Sequence, residues 1–293
     1  MLRSMYTGIS GMSGFQNKLD VVSNNIANVN TFGYKKGRMT FSDLMSQTMQ
    51  GATGPVEDGA GNATLGGRNP MQVGLGTSTG SIDNIHTQGN RQTTNRPLDL
   101  AIEGDGMFIV AEDSDGTAGL DLDTDAKAYT RAGNFYLDND GNVVNANGQF
   151  LVGIEADANG EPVPDSESIL NVDSEAESFS IGNDGSLSYV PSGGGDPIVA
   201  GFVALAKFSN PEGLNKAGGN TFTLTPNAGL VNELNAPGES GTGSLFAGAL
   251  EMSNVDLANE FTEMITAQRG FQANTRVITT SDEILQELVN LKR

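Results

Sequence analysis

Two amphipathic segments lie near opposite ends of the chain, and each repeats apolar residues at the spacing of a helix. The first segment places them at the a and d positions of one heptad register: Leu2, Met5, Ile9, Met12, Leu19 and Ile26, interrupted by Gln16 and Ser23. The second keeps strict heptad spacing through Leu257, Met264, Phe271, Ile278 and Leu285. This pattern predicts two helices with narrow apolar faces.

The first predicted helix contains Gly8, Gly11 and Gly14, which make it weak in isolation. Each glycine costs roughly 0.5–1 kcal/mol relative to alanine. Either these small residues allow another backbone to approach closely, or they are simply tolerated. The second helix is predicted to begin near Asp256, with Ser253 or Asn254 as its N-cap. Two amphipathic helices could also cover the sheet of an ordinary globular domain.

Between the helices, the pattern changes to short apolar runs separated by turn residues. Residues 98–102 and 107–110 flank a Glu-Gly-Asp-Gly turn and predict two consecutive strands. Further strands are predicted near 201–208 and 221–225. The fold class is therefore α+β, with helical ends that are distant in sequence but able to pair, and an all-β middle.

Two stretches in this middle region resemble each other and predict β-hairpins. They begin at Phe135 and Phe179, and each continues to Asn-Asp-Gly at the same offset. Gly141 and Gly185 can supply the positive φ that such turns need.

Three other stretches show no convincing periodic pattern. Residues 51–80 are rich in Gly, Thr, Asn and Ser, and they are interpreted as an extended connector. Residues 155–177 and 226–243 are interpreted as loose segments.

The charge distribution separates the middle of the chain from its ends. Residues 1–50 carry five Lys and Arg against two Asp and Glu, and residues 250–293 carry four against seven. The middle carries seven against twenty-seven, so it has a net charge of −20, equal to that of the whole chain. Such a middle is typical of a solvated outer surface. It makes nucleic acid an unsuitable partner.

The sequence contains no segment typical of membrane insertion or of a cleaved leader. No run of about 18 apolar residues predicts a transmembrane helix. Polar residues interrupt every stretch of the first 26 residues that could serve as an apolar signal-peptide core. If the protein is exported, the expected route leaves its N-terminus uncleaved.

The sequence contains no catalytic or metal-binding pattern that supports an enzyme. The chain has no cysteine and a single histidine, His86, in a polar stretch. Asp121, Asp123 and Asp125 alternate as in a calcium loop, but Ala126 and Ala132 stand where an EF-hand needs Gly and Glu. We therefore predict no catalytic residue, no cofactor and no metal site. A calcium-dependent adhesin and an acid-type glycosidase remain as remote alternatives.

Four sequence blocks, in order along the chain, resemble the family of bacterial flagellar rod and hook proteins. The most specific runs from Leu19 to Lys36 and contains Ser-Asn-Asn-Ile-Ala-Asn-Val-Asn-Thr-Phe-Gly-Tyr-Lys-Lys. The others are residues 96–108, residues 129–135, and residues 248–258 continuing to 264–274. Together the blocks span nearly the whole chain.

The resemblance implies an inner helical domain made of the two paired end helices, with an outer β domain inserted between them. The implied boundaries are 1–30 for the first helix, 31–72 for an extended linking segment, 73–243 for the outer β domain with a small acidic insertion at 155–200, and 244–293 for the second helix.

The resemblance also implies an extracellular polymer of identical subunits that is used for motility. Such subunits are exported uncleaved by the flagellar type III apparatus and form a helical array with coiled-coil-like packing. The implied partners are copies of the chain itself, the distal rod protein, the hook cap and the hook-filament junction proteins. In a free monomer, helices with such narrow apolar faces are expected to stay mobile until they pack against copies of themselves.

Two sets of residues receive roles from the resemblance. Inner-tube packing against neighbouring subunits is expected of Met5, Ile9, Met12, Leu19, Ile26, Leu257, Met264, Phe271, Ile278 and Leu285. Asn24, Asn25, Asn28 and Thr31 are expected to end the first helix and shape the linking segment, to whose signature Gly33 also belongs. Their short polar side chains can satisfy freed backbone groups locally.

Within the family, the sequence favours a hook subunit, and a distal rod subunit is the alternative. The ending at residues 282–293, the run at 208–214 and Val73-Gly-Leu-Gly look more like hook proteins. The length of 293 residues is closer to that of distal rod proteins, because many hook proteins carry a second β domain.

Overall fold

The fold was obtained as a computed structural model, and it is α+β as the sequence predicts. The structure describes residues 2–57, 63–112, 126–157, 160–173, 176–192 and 195–291. The chain divides into two compact units. Unit 1 comprises Met1–Ile26, Gly37–Asp83 and Asp256–Arg293, and unit 2 comprises Ala27–Lys36 and Asn84–Val255.

Unit 1 contains the two long helices, α1 (Leu2–Ala27) and α2 (Leu257–Leu291). They pack antiparallel, because Ser4 meets Ser281 at one end of the pair and Asn25 meets Glu260 at the other.

The N-cap of α2 differs from the prediction. Asp256 caps this helix, since its Oδ1 accepts a hydrogen bond of 2.9 Å from the Ala258 N–H. Ser253 instead accepts from the Val255 N–H, and the side chain of Asn254 binds main-chain groups of unit 2.

Among its described residues, unit 1 also contains six strands that pair in a nested order. Their bounds are β1 Gly37–Asp43, β2 Ser46–Gln50, β3 Val56–Glu57, β4 Ala63–Leu65, β5 Met71–Gly74 and β6 Thr77–Asn84. β1 pairs with β6, β2 with β5, and β3 with β4. The sequence pattern predicts only a connector over 51–80. It misses these strands because main-chain hydrogen bonds between short polar residues leave little hydrophobic alternation.

Unit 2 is built from seventeen strands among its described residues. Their bounds are β7 Arg91–Thr93, β8 Leu100–Glu103, β9 Met107–Glu112, β10 Ala126–Thr130, β11 Tyr136–Leu137, β12 Val143–Val144, β13 Phe150–Ala156, β14 Pro162–Ile169, β15 Ala176–Ile181, β16 Ser186–Pro191, β17 Ile198–Val203, β18 Leu205–Phe208, β19 Asn215–Gly218, β20 Thr221–Thr223, β21 Leu230–Asn235, β22 Ser244–Ala247 and β23 Ala249–Glu251. The main sheet runs in the order β15-β16-β17-β13-β9-β10-β20-β19. β8 pairs with β22, and β7 pairs with β23.

The core of unit 2 lies on both faces of the main sheet, with β9 at its centre. Phe108 and Val110 of β9 point into one apolar cluster, while Met107, Ile109 and Ala111 point into another. All five are buried, as expected of a strand that is covered on both faces.

The two hairpins predicted from their shared Asn-Asp-Gly are confirmed. β11 pairs with β12 and β15 with β16, and Gly141 and Gly185 have φ values of 83° and 82°.

The two consecutive strands predicted near residue 100 form β8 and β9, but they do not pair as a hairpin. Gly104 and Gly106 between them have φ values of 115° and 132°, which lets the chain pass from one sheet to another. Within the loose segment predicted at 155–177, β14 pairs with β13. The calcium-like aspartates Asp121, Asp123 and Asp125 lie outside the described residues.

Candidate functional site: the helix pair and the linking segment

The antiparallel helices of unit 1 approach each other closely, and their glycines make this possible. A methyl group added at Gly8 would lie 3.2 Å from Ile278 Cγ1. One added at Gly270 would lie 2.6 Å from the ring of Phe15. Gly8 and Gly11 thus give room to the side chains of Ile278 and Asn274 in α2. Gly14 gives room to the ring of Phe41, so the structure shows close packing of side chains at these glycines, and their nearest neighbours are not another backbone.

Polar contacts inside the helix pair fix how the two helices align. Asn25 donates from Nδ2 to Oε2 of Glu260 over 3.1 Å, and both side chains are buried. Lys18 and Glu263 form an ion pair of 3.1 Å further along. A shifted alignment would leave these polar groups without partners, so the contacts select one register, as polar core residues do in coiled coils.

Eight of the ten predicted packing residues are partly buried. They are Met5, Met12, Leu19, Ile26, Met264, Phe271, Ile278 and Leu285, whereas Ile9 and Leu257 are 47% and 40% exposed. The stripe of α1 that meets α2 includes Ser4, Gly8 and Phe15. It lies one position away from the predicted apolar register, because glycine fills positions that the apolar pattern skips.

A second apolar set on α2 stays exposed in the single chain. Its members are between 40% and 83% exposed: Leu257, Phe261, Ile265, Val277, Ile284, Leu288, Val289 and Leu291. Leu257, Phe261 and Ile265 follow one another at four-residue spacing and share one face, whereas Val277, Ile284 and Leu288 lie on a different face further along the helix.

The asparagines of the linking signature form local turns around the end of α1. Asn25 brackets Gly37, since its Oδ1 accepts from the Gly37 N–H over 3.0 Å and its Nδ2 donates to the Gly37 carbonyl over 2.8 Å. Thr31 donates from both its N–H and its hydroxyl to Asn28, over 3.1 Å and 3.2 Å. Asn24 is exposed.

Gly33 occupies a position that only glycine fits. Its φ is +68°, and its N–H donates to the Glu251 carbonyl over 2.8 Å. A Cβ at this position would lie 2.5 Å from the carbonyl carbon of Arg131. The chain at Gly33, which belongs to unit 2, therefore packs directly against the backbone of Arg131 and Ala132.

A buried group of three charges lies next to Gly33 in unit 2. Oε1 of Glu251 accepts from Lys35 Nζ over 2.6 Å and from the Gly89 N–H over 2.9 Å. Its Oε2 accepts from Nη1 of Arg131 over 3.0 Å. The three charged side chains are between 1% and 6% exposed, and together they carry one net positive charge.

The pKa values in this group reflect the competition between burial and pairing. Burial alone would raise the pKa of Glu251, but Arg131 and Lys35 outweigh it and hold that pKa below its usual value. Burial lowers the pKa of Lys35, and nearby Arg131 lowers it further, while Glu251 acts in the opposite direction.

Asn254 joins three segments of unit 2, a role that the sequence analysis missed by treating it as a helix cap. Its Oδ1 accepts from the Lys36 N–H over 2.8 Å. Its Nδ2 donates to the carbonyls of Ile85 and Thr87 over 2.8 Å and 3.2 Å. No spacing rule signals such a link, because the three segments meet only in the fold.

His86 lies beside the buried charges without a hydrogen-bond partner for either ring nitrogen among the described residues. Its ring is 5.5 Å from that of Phe222. Burial, followed by the positive charges of Lys35, Arg131 and Lys216, lowers its pKa to about 4. The described part of the chain contains no group of three His, Asp or Glu side chains arranged to hold a metal ion.

We expect unit 2 to lose stability as the pH falls from about 6.5 to about 4. In this window His86 is protonated in the unfolded chain but neutral in the folded one, so acid favours unfolding. The loss over this window should be about 3 kcal/mol. Urea unfolding of wild type and His86→Phe across this range measures it, because the variant lacks this proton uptake. An equal pH dependence in both proteins would contradict the assignment.

The described residues include no helix with the length and apolar character needed to cross a membrane.

Three protein-family models match this chain. They are "Flagella basal body rod protein" over residues 5–35, "Flagellar hook protein FlgE/F/G D1 domain" over residues 101–189, and "Flagellar basal body rod FlgEFG protein C-terminal" over residues 247–291. The first and last matches fall largely on α1 and α2, and the middle one falls on unit 2.

Curated relatives match over nearly the full length. The chain is 51% identical to "Flagellar basal-body rod protein FlgG" of Bacillus subtilis (strain 168), over all of both chains. It is 36% identical to the protein of the same name from Caulobacter vibrioides, over 99% of this chain and all of that one. It is 31% identical to "Flagellar hook protein FlgE" of Borreliella burgdorferi, over all of both chains in an alignment of 459 residues. On these matches, the chain belongs to the family of bacterial flagellar rod and hook proteins.

Proposed function

We propose that this chain is a subunit of the distal rod of the flagellar basal body, and that it assembles with copies of itself into a straight helical tube. The observation that carries the proposal is the 51% identity to a basal-body rod protein over all 293 residues of this chain. The subunits add through heterologous contacts that do not close, which generates an open helical array.

Length separates the rod from the hook as candidates. The alignment with the hook protein of Borreliella burgdorferi extends over 459 residues at 31% identity. The alignment with the hook protein of Treponema pallidum extends over 471 residues at 28% identity. Rod proteins align over nearly the same length as this chain. The relatives thus favour the alternative over the hook subunit that the short sequence motifs suggested.

The exposed apolar face of α2 supports self-assembly. Phe261 and Ile265 are 49% and 52% exposed, one turn apart on the helix. About half of each side chain is already covered, so burying the rest between subunits is worth on the order of 1 kcal/mol each.

The contacts that the start of α1 makes with α2 support export with an uncleaved N-terminus. Ser4 and Gly8 already contact α2, so removing the first residues would remove part of the helix pair. We propose that the flagellar type III apparatus exports the chain and that neighbouring axial proteins of the flagellum contact its two ends in the assembled structure.

The double substitution Phe261→Gln and Ile265→Gln should prevent tube formation without unfolding unit 2. The matched control is Gln268→Ala with Arg269→Ala on the same helix, which leaves these apolar side chains in place. Electron microscopy and sedimentation at high protein concentration measure assembly, and circular dichroism checks the fold. Normal tubes from the Phe261 and Ile265 variant would contradict this role of α2.

Deleting the gene in the source bacterium distinguishes rod from hook. A mutant whose basal bodies lack the distal rod supports the proposal. A mutant that completes its rods but builds no hooks would identify a hook subunit instead.

A further inference from the structure

A groove of about 430 Å³ in unit 2 is unusual in this acidic chain, because none of the described residues that line it carries a charge. Half of its lining residues are asparagines: Asn28, Asn30, Asn134, Asn145, Asn147 and Asn220. Around the groove, the middle of the chain carries twenty-seven Asp and Glu. An uncharged groove of this size therefore calls for an explanation.

Some of these asparagines form hydrogen bonds that stabilise the groove, and the side-chain amides of others remain available to bind a ligand. Asn145 accepts from the Asn147 N–H over 2.9 Å, and Asn220 donates to the carbonyl of Phe32. The side-chain amides of Asn30, Asn134 and Asn147 make no hydrogen bond to any other described residue. Each free amide offers two donors and one acceptor.

The available amides match the chemistry of a peptide main chain. A peptide backbone presents alternating N–H and C=O groups, and it needs both donors and acceptors along its path. Two copies of a chain with a net charge of −20 repel each other, so contacts between them are least costly where neither surface is charged. An amide-lined, uncharged groove satisfies both conditions.

We propose that this groove binds an uncharged main-chain segment of a second copy of this chain. The inference rests on the proposed function, since it names one contact of the polymer. The chain carries a suitable segment: residues 69–82 contain no charged side chain, and they include β5 and most of β6. In the described chain β5 pairs with β2 alone and keeps an open edge, whereas the Thr77 N–H of β6 also donates to the Ser10 hydroxyl of α1.

Negative charge placed in the groove tests this. The variant Asn134→Asp with Asn147→Asp is compared with Asn139→Asp and Asn183→Asp, which add the same charge at exposed turns of unit 2 outside the groove. The groove variant should raise the critical concentration for assembly by about tenfold or more. High salt should partly restore assembly through screening. The control should stay within about twofold of wild type.

Folding is checked separately. Thermal unfolding of each monomer shows whether the substitutions disturb unit 2, and Asn30→Asp, at an exposed position, provides a variant with little structural risk. Assembly of all groove variants at the wild-type concentration would overturn the inference while leaving the proposed function intact. A wild-type protein that never assembles would overturn both.

A soluble oligosaccharide is the competing occupant, because sugar hydroxyls also pair with amides. Chitotetraose is added to the monomer, and the side-chain amide signals of the asparagines are followed by nuclear magnetic resonance. Saturable shifts confined to the groove would reassign it to a glycan and overturn the proposal. Unchanged signals, together with the assembly defect, support a second copy as the occupant.

Discussion

Replacing Gly33 with alanine is expected to lower the free energy of unfolding of unit 2 by more than about 3 kcal/mol. The added Cβ would lie 2.5 Å from the carbonyl carbon of Arg131 and 2.6 Å from the nitrogen of Ala132. Both are backbone atoms and cannot rotate away as a side chain does. The φ of +68° adds strain, because side-chain-bearing residues disfavour this region. Urea unfolding followed by circular dichroism measures the loss.

Gly148→Ala is the matched control for this experiment. Gly148 has a similar positive φ of 84°, but an added Cβ would meet no atom within 4 Å. Its substitution should therefore cost only the backbone strain, about 1–2 kcal/mol. If the two variants lost equal stability, close packing against the backbone of Arg131 and Ala132 would not be the reason for glycine at position 33.

Replacing Glu251 with glutamine is expected to destabilise unit 2 by about 3–5 kcal/mol. The substitution removes the only negative charge of the buried group and leaves Lys35 and Arg131 facing each other inside the protein. Lys35→Met should cost less, because it leaves Arg131 and Glu251 as a neutral pair. Equilibrium unfolding in urea at neutral pH compares the two variants with wild type.

The exposed pair of Arg91 and Glu103 supplies the control. Its atoms are 2.9 Å apart, as close as in the buried group, but the two side chains are 38% and 55% exposed. Glu103→Gln should therefore change the free energy of unfolding by less than about 1 kcal/mol. A large effect at Glu103, or a small one at Glu251, would contradict the importance assigned to burial.

The sequence predicted those elements whose periodicity or turn chemistry is local. Heptads revealed both helices, and Asn-Asp-Gly revealed the hairpins closed at Gly141 and Gly185. The strands β1 to β6 escaped prediction, because alternation of apolar and polar residues is confined to short runs such as Met39 to Phe41 and Met71 to Val73, and the remaining strands are mostly polar.

The candidate site also contains some residues that the sequence indicated and others that it did not. The family signature drew attention to Asn25, which bonds to nearby Gly37, and to Gly33, whose φ is positive, but it did not indicate their distant partners Glu260 and Glu251. The sequence did not indicate that Glu251 pairs with Lys35 or that Asn254 bonds to Lys36, because these partners lie 216 and 218 residues away along the chain. Pairing at such separation is decided by the folded structure and leaves no spacing to detect.

The pairing of α1 with α2 has a consequence for how the chain matures during synthesis. α1 leaves the ribosome more than two hundred residues before α2, so it must wait without its partner until translation is nearly complete. Unit 2 waits in a similar way for Glu251, which reaches back to Lys35. A product that ends before Glu251 lacks both closures, so its first helix and the charges of Lys35 and Arg131 stay unpaired, and we expect it to be more open to proteolysis than the complete chain.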